Sequence, residues 1–202
     1  MKFRLCDEFD HGFGWLAEDE FLQRTSHAVF AAGRVWVTDA LYGPEIEERI
    51  RALGEPAGVI QLLDRHSRDC GAVARRLGVP LHVTPFGGVS NAPFEVIAVR
   101  MTRLWREVAL YFSQERILVC GDALGSVGHF RAGREPLGVH PLLRFVPPRR
   151  AFGGLEPEHL LFGHGEGVHG AEAGHALHEA LATARRRLPQ AWLGGLHAAL
   201  RR

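Results

Sequence analysis

The chain has 202 residues, of which 46% are hydrophobic and 23% charged. That is enough apolar material for a single packed domain spanning 1–202, and it excludes a disordered chain. Lys and Arg number 24 against 23 Asp and Glu, a formal net charge of +1, so the basic footprint of a nucleic-acid or membrane-surface binder is missing.

In chain order, the aromatic, Gly-rich stretch FDHGFGWLAEDEF predicts an edge hairpin packing Phe9, Phe13 and Trp15 on the core. HAVFAAGRVWVTDA predicts two strands, His27–Ala31 and Arg34–Thr38, joined by a tight turn at Gly33. GPEIEERIRALGEP predicts a helix with Pro44 in its first turn, Ile46, Ile50 and Leu53 on one face and Gly54 at its end. AGVIQLL is a short, central apolar strand. CGAVARRLG is a helix with Val73 and Leu77 inward and Gly78 as its C-cap, followed by the strand PLHV. FEVIAVR, EVALYFS and RILVCGDAL supply three more strands, and the Gly-, Pro- and Arg-rich segment 125–157 is mostly loop. HLLFGHG is the last strong strand. GAEAGHALHEALATARRRL is a helix with an apolar stripe of Ala173, Leu177, Ala180, Leu181, Ala184 and Leu188, and QAWLGGLHAALRR predicts a terminal helix. This order is that of an α/β layered domain with mixed sheets.

Ligands in such folds sit outside strand ends, on loops. Three loops follow apolar strands and carry chemistry: DRHSRDC after Leu63, CGDALG with Asp122, and FGHGEG with His164 between glycines. The glycines let backbone and ligand approach closely. The chain resembles the metallo-β-lactamase superfamily in these motifs and their order. That family's H-x-H-x-D-H motif, helix and GVP strand correspond to RHSRDC followed by GAVARRLGVPLHV; its SVALYF-like strand to EVALYF; its GDxL to GDAL; and its GHG to Gly163–Gly165. The resemblance covers roughly Val35 to Leu181 and implies a four-layer αββα sandwich with metals at the strand ends.

By the same resemblance, Asp69 and Cys70 fall on the motif's Asp and last His, Arg65 and Ser67 on its first two His, and Arg103 on the middle His. Asp122 is the bridging Asp and His164 the final His. Arg cannot ligate a cation, because it stays charged and has only donors, so the first metal site is expected to be empty. The second would keep Asp69, Cys70, Asp122 and His164, a set acceptable to one Zn²⁺ or Fe²⁺. Arg65 and Arg103 would neutralise the carboxylates where a metal once sat, or stabilise charge on a substrate. Repulsion between unit charges ~5 Å apart is on the order of 3 kcal/mol at an effective dielectric near 20, which tips the expectation towards a metal-free site.

His66 lies one residue from each expected His position; an exposed or backbone-bonded ring is the first expectation, and a general base or an additional ligand pointing into the pocket the second. The Gly125–Pro157 loop, with His129, Arg131, Arg134, His140 and Arg144, is expected to overhang Asp122 as the source of substrate specificity or of a homodimer contact. His175 and His178 fall off the apolar stripe and should face solvent. Cys6, Cys70 and Cys120 are odd in number and far apart, against a disulfide framework. The N-terminal stretch is broken by acids where a signal peptide would be apolar, and a cytoplasmic setting is expected.

Two functions remain open. One is a hydrolase-like enzyme with a one-metal site, acting on an ester, thioester, lactone or phosphoester. The other is a non-catalytic, metal-free relative that binds a small anionic molecule or serves as an assembly scaffold.

Overall fold

A computed structural model describes residues 2–18, 20 and 22–192; most of the terminal helix expected from QAWLGGLHAALRR lies outside the described residues. The first sheet has six strands in chain order: β1 (Phe3–Phe9), β2 (Gly12–Ala17), β3 (Thr25–Ala31), β4 (Arg34–Thr38), β5 (Glu55–Gln61) and β6 (Leu81–Val83). The first four form an antiparallel meander. The last two join in parallel through crossover helices α1 (Pro44–Leu53) and α2 (Cys70–Leu77). Gly78 closes α2 in the left-handed region (φ 74°), where a Cβ would be strained.

The second sheet is built from β7 (Glu95–Thr102), β8 (Trp105–Phe112), β9 (Ile117–Cys120), β12 (His159–Phe162) and β13 (Val168–His169), in the spatial order β13-β12-β9-β8-β7. Between β9 and β12 the chain makes a small ribbon of β10 (Leu124–Gly125) and β11 (Gly138–Val139) and a short helix α3 (Arg149–Phe152). Helix α4 (Glu172–Thr183) follows β13.

Alternation along the strands makes four layers. Val35 and Val37 of β4 and Val59 of β5 face Ile46, Ile50, Val73 and Leu77 of the first helix layer. Their neighbours Trp36 and Ile60 point the other way and meet Val108, Leu110, Ile117, Val119 and Leu161 of the second sheet. Leu118, Leu160 and Phe162 on the far face of that sheet pack on Ala173, Leu177 and Leu181 of α4. Period-two side-chain direction therefore gives each inner strand two apolar faces. Each fully buried large side chain contributes roughly 1.5–3 kcal/mol. The stripe predicted for α4 is the buried one, with Leu188 half-buried. His175 is exposed, whereas His178 is tied to Leu155 O and to Glu156.

Two buried polar joints hold the layers in place. Arg144, expected on the specificity loop, is fully buried instead. Its guanidinium donates to the carbonyls of Phe130 (2.7 Å) and Val139 (3.0 Å) and pairs with Glu135 at 2.8 Å. It is a staple for the loop rather than a ligand contact. The second joint is Asp7, in a β-bulge of β1 at φ 52°. It accepts the Gly167 N–H at 2.6 Å and faces the Nε2 atoms of His27 (3.2 Å) and His169 (3.1 Å), so it links the two sheets at their edges. Burial alone would raise its pKa, but the bonds from His169 and His27 outweigh burial and hold the carboxyl well below the usual range.

Glu135→Leu should leave Arg144 buried and unpaired, and lower the unfolding free energy by about 3–5 kcal/mol in denaturant titrations; a loss below about 1 kcal/mol would show that the pair is idle. Asp7→Asn should cost about 1–3 kcal/mol at pH 7. The folded carboxyl titrates below the unfolded value of about 3.9, so its contribution is complete above that pH and is lost as pH falls through the folded value. Urea titrations with EDTA should show the gap between wild type and variant narrowing only at acid pH.

Candidate metal centre

Strand tips from both sheets converge at one end of the sandwich. β4 leads into Asp39, β5 leads through Leu63 into the loop holding Arg65, His66 and Arg68, β9 leads into Asp122, and β12 leads into Gly163 and His164. The joining bonds are backbone ones: Gly163 N–H donates to Gly121 O (3.0 Å), and Thr25 N–H to Gly163 O (2.9 Å). Gly163 must be small, because a Cβ there would lie 2.8 Å from the His66 ring and 2.9 Å from Gly121 O.

Among the described residues, His66, Asp122 and His164 form the one group of three potential ligands whose donor atoms lie within 4.8 Å of one another, and all three are buried. His66 Nε2 and His164 Nε2 stand 3.0 and 3.1 Å from Asp122 Oδ1. Neither ring is aligned to donate, so Oδ1 is buried without a hydrogen-bond partner. The far side of each ring explains this. His164 Nδ1 lies 2.9 Å from Leu22 O, an acceptor only, so Nδ1 carries the hydrogen and the neutral ring turns the Nε2 lone pair inward. His66 Nδ1 faces Asp39 Oδ2 at 2.6 Å, with the same consequence for its neutral form. Once His66 gives up its extra proton, two nitrogen lone pairs and a carboxylate oxygen converge on one buried point, an arrangement that a divalent cation satisfies.

The electrostatics match. Burial opposes ionisation of Asp122, but the adjacent His164 and His66 rings outweigh it and hold the carboxyl well below the ordinary range. Burial likewise pulls His66 down, and Asp39 and Asp122 reverse this and push it up to about 9. A proton on His66 therefore offsets one of the two carboxylate charges when no cation does. Behind the cluster, Arg68 is half-buried at φ 37°, its enclosed guanidinium donating to the carbonyls of Thr25, Asp39 (2.9 Å) and Gly163 (2.8 Å). Glu107 is fully buried beneath Asp122. It accepts the Ala123 N–H (2.8 Å) and the Trp105 indole N–H (2.7 Å), and burial and the nearby Asp122 push its pKa up to about 7.

The rim is aromatic and basic. Arg65 lies over Trp105 (4.4 Å to the ring centroid), with Nη2 3.6 Å from Asp122 Oδ2. Phe130 stacks on His164 at 5.8 Å, and His140 packs against Trp105 and Phe130. Burial pulls His140 down to about 4, so its ring is neutral at pH 7. The Leu142 N–H donates to its Nδ1 (3.2 Å), which leaves the ring hydrogen on Nε2.

Of the residues singled out from sequence, Asp122, His164, Arg65 and His66 meet here. His66 is a buried member of the cluster rather than exposed or backbone-bonded. Asp69 and Cys70 do not join it: the Asp69 carboxylate turns away to accept the Tyr42 N–H (2.9 Å), and the Cys70 thiol is packed in the apolar core under α2 and reaches His66 O at 3.6 Å. Burial pushes that thiol up to about 12, so it offers no thiolate. Arg103 occupies the exposed tip of the β7–β8 hairpin, where a two-residue turn points it to solvent; the buried guanidinium belongs to Arg68. Asp39 was missed, although it carries the same signal as Asp122, an acid following an apolar strand, and Glu107 was legible from sequence only as a possible partner of the Cys70 thiol.

No family model matches the chain, and no curated protein matches it. Solved structures do. The metallo-β-lactamase DIM-1 is similar over 91% of this chain and 99% of its own, at 12% identity and a TM-score of 0.59. TMB-1, described with residues affecting substrate and inhibitor binding, is similar over 90% of this chain and 98% of its own, at 12% identity and a TM-score of 0.57. With the two facing sheets, the outer helices and the converging strand tips, these likenesses establish that the chain has the metallo-β-lactamase fold.

Proposed function

We propose that this chain is a hydrolase-like protein holding one divalent ion, Zn²⁺ or Fe²⁺, on His66, Asp122 and His164. The observation that supports this reading is the buried Asp122 Oδ1, without a hydrogen-bond partner while two inward imidazole nitrogens stand beside it. A two-imidazole, one-carboxylate set is chemically suited to such ions. When bound, the ion would supply Lewis acidity and an acidified water. Asp39 orients His66 and fixes its tautomer, as a carboxylate behind a metal-bound imidazole does. Arg65 at the rim holds an anionic group of the substrate, and the neutral His140 ring offers an Nε2–H to developing negative charge. The substrate class is a small anionic ester, thioester, lactone or phosphoester. No helix among the described residues is long and apolar enough to cross a membrane.

A second reading is a metal-free relative that binds a small anion. It is favoured by the approach of Arg65 to Asp122 and by the raised pKa of His66, which lets a proton take the place of the ion.

Untagged protein purified without chelator should carry Zn or Fe close to one ion per chain by elemental analysis, and its melting temperature should rise when the missing ion is restored. Asp122→Asn should abolish uptake at this cluster, and Asp39→Asn should weaken it by about 10–100-fold. Only traces of Zn, Fe and Mn, with no thermal shift on adding them, would establish the metal-free reading. Arg65→Ala should then weaken protection by inorganic phosphate without altering the fold seen by circular dichroism.

A further inference from the structure

A second histidine cluster lies away from the strand tips, on the edge formed by β12 and β13. His159 and His169 are direct cross-strand partners. The neighbouring pair carries the Gly170 N–H to Glu158 O bond (2.7 Å), so 159/169 is a non-hydrogen-bonded pair, the spacing at which facing side chains come closest. Their Nδ1 atoms are 2.9 Å apart. Such a contact needs one donor and one acceptor. Asp7 decides which is which: its Oδ1, already accepting the Gly167 N–H, faces His169 Nε2 at 3.1 Å, so His169 carries its hydrogen there and presents a lone pair at Nδ1. His159 then donates from its own Nδ1, and in its other tautomer it too would offer a lone pair.

We propose that His159 and His169 form a second cation site, selective for imidazole-seeking first-row divalent ions such as Ni²⁺, Cu²⁺ and Zn²⁺. Metal–imidazole bonds of about 2.0–2.1 Å at tetragonal or tetrahedral angles place two ligand nitrogens roughly 2.9–3.4 Å apart, a separation reached here by a small pivot of the rings. The ion replaces the shared hydrogen, which moves to His159 Nε2, so no proton is lost from the pair. Asp7 is the carboxylate behind the ligating ring, and it is 3% exposed at its side chain and held by the β1 bulge, so His169 is pre-oriented. Asp10 and Glu158 add negative potential at His159, opposed by His11 on the β1–β2 turn. Phe9 packs on both rings, at 4.6 and 5.4 Å, and restricts their rotation. The bound ion clamps β13 to β12.

Equilibrium dialysis of untagged protein against Ni²⁺ tests this independently of the strand-tip site. Asp122→Asn protein should retain one Ni²⁺, and its melting temperature should rise with the metal. Adding His159→Ala or His169→Phe should weaken that binding at least tenfold; His159→Ala, at a half-buried ring that does not touch Asp7, serves where His169→Phe fails to fold. His159→Ala alone should spare uptake at His66, Asp122 and His164. The proposal is overturned if Asp122→Asn protein takes up no Ni²⁺, or if the His159→Ala and Asp122→Asn double variant binds it as tightly as Asp122→Asn does. Equal uptake by wild type and Asp122→Asn would instead count against the strand-tip site alone.

Discussion

The arrangement of the strand tips depends on one buried guanidinium. Arg68 reaches Thr25 O at the start of β3, Asp39 O at the end of β4 and Gly163 O after β12. These carbonyls belong to both sheets, and Arg68 bonds them in addition to the Thr25 N–H on Gly163 O and the Ser26 hydroxyl on Asp39 O. A planar cation with five donors satisfies all three at once, which a lysine could not do in fixed geometry. Its own burial is costly, and the left-handed backbone at φ 37° adds strain for a non-glycine residue. Both costs are sustained because the residue closes the end of the sandwich and sets His66 at the correct depth, with Nη2 3.5 Å from His66 Nδ1.

That same turn explains what the sequence could and could not disclose. The layers were legible, because alternation in VWVT, ILVC and HLLF states directly which side chains face which layer. Asp122 and His164 were legible too, since each directly follows an apolar strand that fixes its direction. The loop from Asp64 to Asp69 was not. Its backbone turns through the His66 N–H to Leu63 O bond (2.9 Å) and the left-handed Arg68, so side-chain direction no longer follows from spacing. Alignment to H-x-H-x-D-H selected positions 65, 67, 69 and 70, whereas the turn delivers 66 to the cluster and keeps 69 and 70 for Tyr42 and the core. Arg103 failed for a different reason: hairpin tips have no neighbour to bury against, and a motif position does not survive there.

Glu107 shows how far inward the site's organisation extends. A carboxyl with 0% exposure in an otherwise apolar strand needs partners, and it finds two in the Ala123 N–H and the Trp105 indole. The first orders the residue after Asp122, and the second orients the ring on which Arg65 lies. One buried acid therefore aligns both the cluster and its rim. The signal was present in sequence as a lone acid within REVALYF, but it was absorbed into the strand.

The two arginines nearest the cluster do different work, and their burial says which is available to a ligand. Arg68 has committed its guanidinium to three carbonyls and can leave them only by leaving its own enclosed N–H groups without partners. Arg65 is 44% exposed at its side chain and held by a ring face and a carboxylate at 3.6 Å, beyond a direct hydrogen bond. Contacts of that kind are weak and exchangeable beside water. Arg65 can therefore swing away from Asp122 at little cost, whereas Arg68 cannot leave its place. Fixed charge thus lies behind the cluster and movable charge in front of it.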